Sequence, residues 1–392
     1  MLDVSALAEN PEHVDIRNAV RAICDQFDDA YWRERDRTAT FPHEFRKTIA
    51  EGGWLGIAMP EKYGGAELGI TEAAIMMQTI GSSAGTFAAC STVHMNIFGP
   101  HAIVVHGTED QRARMLPPLI RGENCACFGV TEPDAGLDTT QLKTRAVRDG
   151  DQYIVTGQKI WTSTAQQADR IVLLARTTPK EQCKRPSEGL SLFYTTLDRR
   201  YVEIREIHKM GRAAVDSNDL FMDGMPVPVE DRIGEEGMGF RYILDSLNPE
   251  RILIAAEAVG IGRRALAKAT RYANERVVFN RPIGKNQAIQ HPLAESWAEL
   301  YAAELMTLRA AALYDAGKPC GAEANAAKYL AAEAAFNACD RAVRVHGGMG
   351  YACEYDVERY FRESIITRLA PVSRELILCY LAERVLGLPK SY

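Results

Sequence analysis

The chain has 392 residues and a formal charge of −6, and 46 % of it is apolar, an ordinary share for a soluble globular protein. That length exceeds one small core and predicts two or three domains. The acidic balance leaves no basic footprint for nucleic acid as a partner, and no apolar run is long enough for a membrane span.

The first ten residues, M-L-D-V-S-A-L-A-E-N, lack a basic stretch followed by an apolar one, and they are acidic where a transit peptide is Arg-rich. From about 11 to 125 the chain reads as mostly helical. R-N-A-V-R-A-I-C-D-Q-F and E-F-R-K-T-I-A-E-G-G-W-L-G both space apolar residues by three and four, with breaks at Gly52, Gly53 and Pro60. From Ala146 to Val229 short alternating runs predict strands: Tyr153 to Val155, Arg170 to Ala175, Leu190 to Tyr194 and Asp219 to Met222. The charged stretch Thr178 to Glu188 reads as an exposed loop between two of them. From Gly239 onward the pattern is helical again and Ala-rich. The order is therefore α-β-α, with expected domains 1–125, 126–238 and 239–392. Nine scattered cysteines, only Cys125 and Cys127 close together, point to reduced thiols and a cytoplasmic setting.

Two motifs fail on context. Gly260-Ile261-Gly262-Arg263-Arg264-Ala265 fits a loose dinucleotide fingerprint, but that fingerprint needs a preceding strand, and here it sits inside a helical run. Close helix packing is the better reading. Among eight histidines no pair has metal-ligand spacing in a suitable setting, so no metal is expected.

Two pieces carry more information. Cys127 to Asp138, C-F-G-V-T-E-P-D-A-G-L-D, reads as loop rather than helix or sheet and exposes a run of backbone donors with Thr131 among them. Lys159 to Ser163, K-I-W-T-S, puts an indole and two hydroxyls on a strand edge. Together they suit a flat heteroaromatic ring with a polar rim. The pair closely resembles the flavin-binding core of the acyl-CoA dehydrogenase family. Further blocks match in the family's order: Gly56 to Gly65, Leu247 to Arg251 (L-N-P-E-R), Glu275 to Ile283 (E-R-V-V-F-N-R-P-I) and Val345 to Tyr351 (V-H-G-G-M-G-Y).

The resemblance implies an α+β multidomain fold: an N-terminal helical domain, a middle domain of β-barrel or sandwich type, and a C-terminal four-helix bundle. It implies FAD as cofactor and the conversion of a saturated acyl-CoA to the trans-2-enoyl-CoA, as in fatty-acid β-oxidation, with electrons passed to an electron-transferring flavoprotein. By the same resemblance Phe128, Val130, Thr131, Trp161, Thr162 and Ser163 meet the flavin. Arg276, Phe279 and Gln287 match residues that reach the cofactor from a neighbouring subunit. Arg344, Gly347, Gly348, Ser373 and Glu375 match positions near the adenosine diphosphate. A cofactor site shared in this way implies a homodimer or homotetramer.

The catalytic base departs from the common pattern. Most family members carry a Glu near the C-terminus; here the matching segment is L-A-P-V-S-R-E-L, Leu369 to Leu376. An ungapped count puts Pro371 at the usual Glu position and a one-residue shift puts Ala370 there, and neither takes a proton. Members resembling isovaleryl-CoA and long-chain dehydrogenases carry the Glu on a helix of the C-terminal domain, directly before an Arg. Glu250 before Arg251 matches that arrangement and is read as the base. Arg251, Asn248 and Leu137 are read as substrate contacts, Leu137 standing where the family often has Ser. A branched or longer acyl chain follows from the same subgroup. Asn248-Pro249-Glu250 also reads as a plain helix start, with Asn as N-cap. The family's backbone N–H for the thioester oxygen is missing at Pro371, so either Ala370 donates or the oxygen is held differently. An acyl-CoA oxidase or flavin monooxygenase on the same fold, and a non-catalytic scaffold that binds FAD and CoA esters, are the competing functions.

Overall fold

The computed structural model describes residues 10–391; residues 1–9, most of the stretch read for targeting signals, lie outside it. Eight helices come first: α1 Pro11–Cys24, α2 Asp29–Thr38, α3 His43–Glu51, α4 Ile70–Gly81, α5 Thr86–Ser91, α6 Met95–Phe98, α7 His101–His106 and α8 Glu109–Ile120. Eight strands follow: β1 Ala126–Gly129, β2 Arg145–Asp149, β3 Gln152–Ser163, β4 Arg170–Arg176, β5 Leu190–Thr196, β6 Val202–Glu206, β7 Ser217–Pro228 and β8 Arg232–Ile233. The last part is helical: α9 Gly239–Glu275, a small hairpin of β9 Val277–Val278 and β10 Arg281–Pro282, α10 Gln287–Asp315, α11 Gly321–His346, α12 Val357–Ser364, α13 Ile366–Leu369 and α14 Arg374–Arg384. The four strands expected from alternation are β3, β4, β5 and β7, and Thr178 to Glu188 joins two of them with one short 3-10 turn. No helix among the described residues is long and apolar enough to cross a membrane.

Local chemistry sets the helix ends. The Asn10 side chain accepts from the Glu12 N–H (3.1 Å) and Pro11 opens α1, whose Ile16, Val20 and Cys24 are buried one turn apart. Thr108 and Gln111 form a reciprocal capping box at α8. The helix α3 stops at Gly52, and Gly53 supplies the left-handed turn (φ 78°).

The chain forms two compact units that do not follow its linear order: one holds the described residues up to Asp36, Leu68–Cys90 and Arg251 onward, the other Arg37–Glu67 and Ser91–Glu250. In the second unit the strands form one sheet in the order β6-β7-β3-β2-β4-β5-β8, with β1 paired in parallel to β4. The sheet is sandwich-like and does not close into the barrel that was the other expectation, since β6 and β8 stand at its two ends. Strands β4 and β5 are buried on both faces. Val172 and Leu174 of β4 pack with Leu116 and Leu119 of α8, while Ile171 and Leu173 pack with Tyr153, Val155 and Leu220 of β3 and β7. That explains why β4 reads as a continuous apolar run.

The first unit is built on α9 from Arg251 onward, α10 and α11. Beside them stand α12, α13 and α14, each of which packs on α11. Alanines line the buried face of α11, from Ala324 to Ala342. The Gly-x-Gly of α9 does lie inside a helix: a Cβ on Gly260 would come within 2.6 Å of the Gln78 carbonyl and 2.8 Å of the Gly81 Cα on α4. Close backbone approach, not nucleotide binding, accounts for this glycine. Gly260→Ala is expected to lower stability by about 1–3 kcal/mol through overpacking, read as a lower urea midpoint, whereas Gly136→Ala, whose Cβ meets nothing within 4 Å, leaves the midpoint in place.

Candidate functional site

The end of β3 is shaped by a bulge. Lys159 pairs with Leu220 and Thr162 with Asn218, so Ile160 and Trp161 together oppose a single residue of β7. Trp161 takes a left-handed backbone (φ 60°) and its ring is 56 % exposed, although it sits on a strand of a buried sheet. Strand β2 pairs with β3 only as far as Thr156. Beyond that point the vacated edge is taken by the loop after β1: the Ile160 N–H donates to the Thr131 carbonyl (2.9 Å). The first three residues of the piece read as loop, Cys127 to Gly129, are instead strand β1. Apolar burial against β4 outweighs their turn-like neighbours.

The ring-binding candidates thus meet in one unit. Phe128 is half-buried and packs edge-on to Phe98 of α6 (6.0 Å between centroids). Val130, Thr131 and Ser163 are half-buried around the exposed indole. Thr162 is the exception. It faces the opposite side of the strand from its neighbours, is fully buried, and its carbonyl accepts from the Asn218 side chain (3.0 Å), so its hydroxyl is not presented with the others. Leu137 is 58 % exposed at the far end of the loop.

Glu250 lies on α9 and is 8 % exposed. The helix-start reading of Asn248-Pro249-Glu250 does not hold: α9 begins at Gly239 and passes through Pro249, so Asn248 is no N-cap. The first turns of α9 are tied to α7. The His106 ring bonds Asp245 through Nε2 (2.8 Å) and lies tilted against the Tyr242 ring (4.2 Å between centroids). Arg251 follows Glu250 and is half-buried.

The remaining candidates lie in the first unit. Phe279 is 93 % exposed at the tip of the β9–β10 hairpin, with Arg276 and Gln287 exposed on either side of it. Gly347 (φ 60°) and Gly348 close α11, and a Cβ on either would meet nothing within 4 Å. Arg344 is paired with Asp340 (2.9 Å), which offsets the extra charge expected there. Ser373 caps α14, accepting from the Leu376 N–H (3.3 Å), and Glu375 is exposed in the same turn. The Ala370 N–H donates to the Ile366 carbonyl (2.9 Å) as the last bond of α13. That rules out Ala370 as the free donor for a thioester oxygen, and Pro371 has none to offer.

Three family models match along the chain: the acyl-CoA dehydrogenase N-terminal domain over residues 10–123, the middle domain over 127–225 and the C-terminal domain over 237–386. The chain belongs to the acyl-CoA dehydrogenase family. It is similar to the acyl-CoA dehydrogenase FadE12 of Mycobacterium tuberculosis, with 36 % identity across all of both chains. It also resembles a 3-(aryl)acrylate reductase of Clostridium sporogenes, with 35 % identity over 90 % of this chain and 92 % of the relative. Among solved structures it resembles the butyryl-CoA dehydrogenase of Megasphaera elsdenii, with a TM-score of 0.91 and 28 % identity over 96 % of this chain and 99 % of that one. Acyl-CoA dehydrogenases are oxidoreductases whose members are FAD-dependent flavoproteins. The bulged end of β3 fits such a group: an outward indole stands beside a loop whose Thr131 N–H has no partner among the described residues.

Sequence reasoning passed over two residues here. Lys159 is fully buried and donates to the Val130 carbonyl (3.0 Å) and to Glu132 (2.8 Å). Both stand in the two informative pieces, but nothing in their spacing says that they pair.

Burial pushes His101 on α7 down to about 4, with Asp245 opposing and His106 adding to the shift. The unfolded chain takes up this proton near pH 6.5 and the folded chain does not. The stabilisation is therefore complete above about pH 6.5 and lost as the pH falls towards 4. His101→Phe is expected to flatten that part of the stability curve, measured as urea midpoints between pH 7 and 4.

Proposed function

We propose that this acyl-CoA dehydrogenase family member removes the α-proton of an acyl-CoA thioester with Glu250 and yields the trans-2-enoyl-CoA. Bound FAD supplies the hydride acceptor for the β-carbon. The observation that carries this reading is a carboxylate only 8 % exposed on α9, in a chain whose C-terminal Leu369 to Ser373 segment has no acid. Carbon acids beside a thioester are weak, so the base must be kept from water and the developing enolate stabilised. Burial of Glu250 meets the first requirement. Arg251 adds positive charge next to it in sequence. Phe128, Val130, Thr131, Trp161 and Ser163 hold the isoalloxazine through backbone and ring contacts. Asn248 and Leu137 are the further substrate contacts of this reading.

A second copy of the chain would complete the cofactor site with Arg276, Phe279, Gln287, Arg344, Gly347 and Gly348, while Ser373 and Glu375 lie towards the adenosine. An aromatic ring as exposed as Phe279 at a hairpin tip, with Met349 and Tyr351 also exposed, supports a surface meant to be covered. The guanidinium of Arg276 suits a diphosphate because its planar fork binds two oxygens. The electron acceptor in this reading is an electron-transferring flavoprotein.

Glu250→Gln is expected to retain FAD and bind acyl-CoA but to bleach the flavin anaerobically about 10²–10⁴ times more slowly. Bleaching at the parent rate would remove Glu250 as the base, and a parent protein that no acyl-CoA or 2-enoyl-CoA affects would support the scaffold reading. Rapid reoxidation of the bleached parent in air would support the oxidase or monooxygenase reading, and slow reoxidation the dehydrogenase. Because one relative is named a reductase, the 2-enoyl thioester is offered to the reduced protein in parallel. Mixing Glu250→Gln with Arg276→Ala under conditions that exchange subunits is expected to restore activity that neither variant has alone. No restoration would argue that each chain holds its FAD unaided.

A further inference from the structure

The pair formed by Lys159 and Glu132 has no part in the proton abstraction described above, yet it lies directly beneath the ring-binding loop. The Lys159 side chain is 0 % exposed and that of Glu132 is 6 % exposed. The Glu132 carboxylate is saturated from several sides: Oε1 accepts from Lys159 Nζ (2.8 Å) and the Thr144 N–H (3.0 Å), and Oε2 from the Lys143 N–H (2.7 Å). Lys159 spends a second donor on the Val130 carbonyl (3.0 Å). Burial works against both charges. It pulls the Lys159 ammonium down to about 8, with Glu132 opposing, whereas Glu132 itself ends below its ordinary value because Lys159, Thr144 and the Lys143 N–H overcome its burial.

A buried ammonium on a backbone carbonyl fixes a peptide plane. The Val130–Thr131 bond is trans, so the Thr131 N–H points opposite to the Val130 carbonyl. With that carbonyl drawn inward to Lys159, the N–H is turned away from the interior. It has no partner among the described residues. The next carbonyl, that of Thr131, is also drawn inward, to the Ile160 N–H (2.9 Å), and the Glu132 N–H closes a small turn on the Ala135 carbonyl (3.3 Å). The Val130 and Thr131 carbonyls are thus both held from β3, and the Thr131 N–H is left facing away from it, next to the Ile160–Trp161 bulge.

We propose that Lys159 is a positioning residue for the flavin: by holding the Val130 carbonyl and the Glu132 carboxylate under the loop, it presents the Thr131 N–H as a fixed donor to the polar edge of the isoalloxazine. The inference rests on the flavin reading of the preceding subsection. It assigns Glu132 a different task, that of offsetting the Lys159 charge in the interior, which bears on stability and not on the Lys159–Val130 bond.

The test is FAD affinity set against stability, measured on purified parent and variant protein by fluorescence quenching and by urea unfolding of the FAD-free form. Lys159→Met removes the donor and leaves Glu132 uncompensated; it is expected to lose both stability and FAD affinity, the latter by about tenfold or more. Glu132→Gln leaves the Lys159–Val130 bond and is expected to bind FAD within about threefold of the parent. The double variant Lys159→Met/Glu132→Gln removes the stranded charge, so its urea midpoint is expected to recover while FAD affinity stays about tenfold low. If the single Lys159 variant does not fold, the double variant and Glu132→Gln carry the comparison. Parent-like FAD affinity in any folded variant lacking Lys159, or affinity that recovers together with stability, would overturn the positioning role. A parent protein that binds no FAD would instead remove the flavin reading on which it rests.

Discussion

Half-way along its length β3 loses one of its two neighbours. Its pairing with β2 ends at Thr156, while its pairing with β7 continues to Ser163. A strand edge inside a sheet leaves N–H and C=O groups that must be satisfied by something other than a strand. Here the loop after β1 does so, with the Thr131 carbonyl on the Ile160 N–H and the buried Lys159 reaching up to Val130. The bulge that turns Trp161 outward occurs on the same stretch. One break in strand pairing therefore yields a loop held from below, a donor facing out and an aromatic face beside it, which is what a flavin site needs from its protein.

Much of the fold was legible in the sequence because its signals are periodic and local. The runs in β3, β4, β5 and β7 alternate or are continuously apolar, and burial on both sheet faces explains which of the two. Cys127 to Gly129 was not legible: the Gly, Pro and Asp that follow dominate a local reading, and only the parallel partner β4 makes those residues a strand. Asn248-Pro249-Glu250 is a sound helix start in isolation. The helix had already begun at Gly239, where Gly239 packs against the backbone of Ser191 and Leu192, and His106 holds its next turns through Asp245 and Tyr242. Pro249 within it lacks an N–H, at the cost of one helical bond.

The candidate site was legible where chemistry is written in residue type and illegible where it depends on tertiary pairing. An indole, glycines and an Arg stand out in a sequence. That Thr162 turns inward between two outward neighbours follows only from the register of β3 with β7. That Ala370 has no free N–H follows only from the end of α13. The partnership of Lys159 with Glu132 spans 27 positions and a change of element, and only coordinates reveal it. The proposed placement of the base on α9 is the converse case. It starts from sequence alone, a missing acid at Leu369 to Ser373 together with a Glu-Arg pair at 250 and 251, and the burial of Glu250 is compatible with it.

The central claim is that the loop at 130–132 and the bulged end of β3 together form the seat of the flavin ring. Amide hydrogen exchange on the unmodified protein, with and without saturating FAD, tests it directly. Slower exchange on FAD addition at Thr131 and across Ile160 to Ser163, with the interior of β4 unchanged, is the predicted result. Exchange at Thr131 that FAD leaves untouched, with new protection confined to other segments, would contradict it.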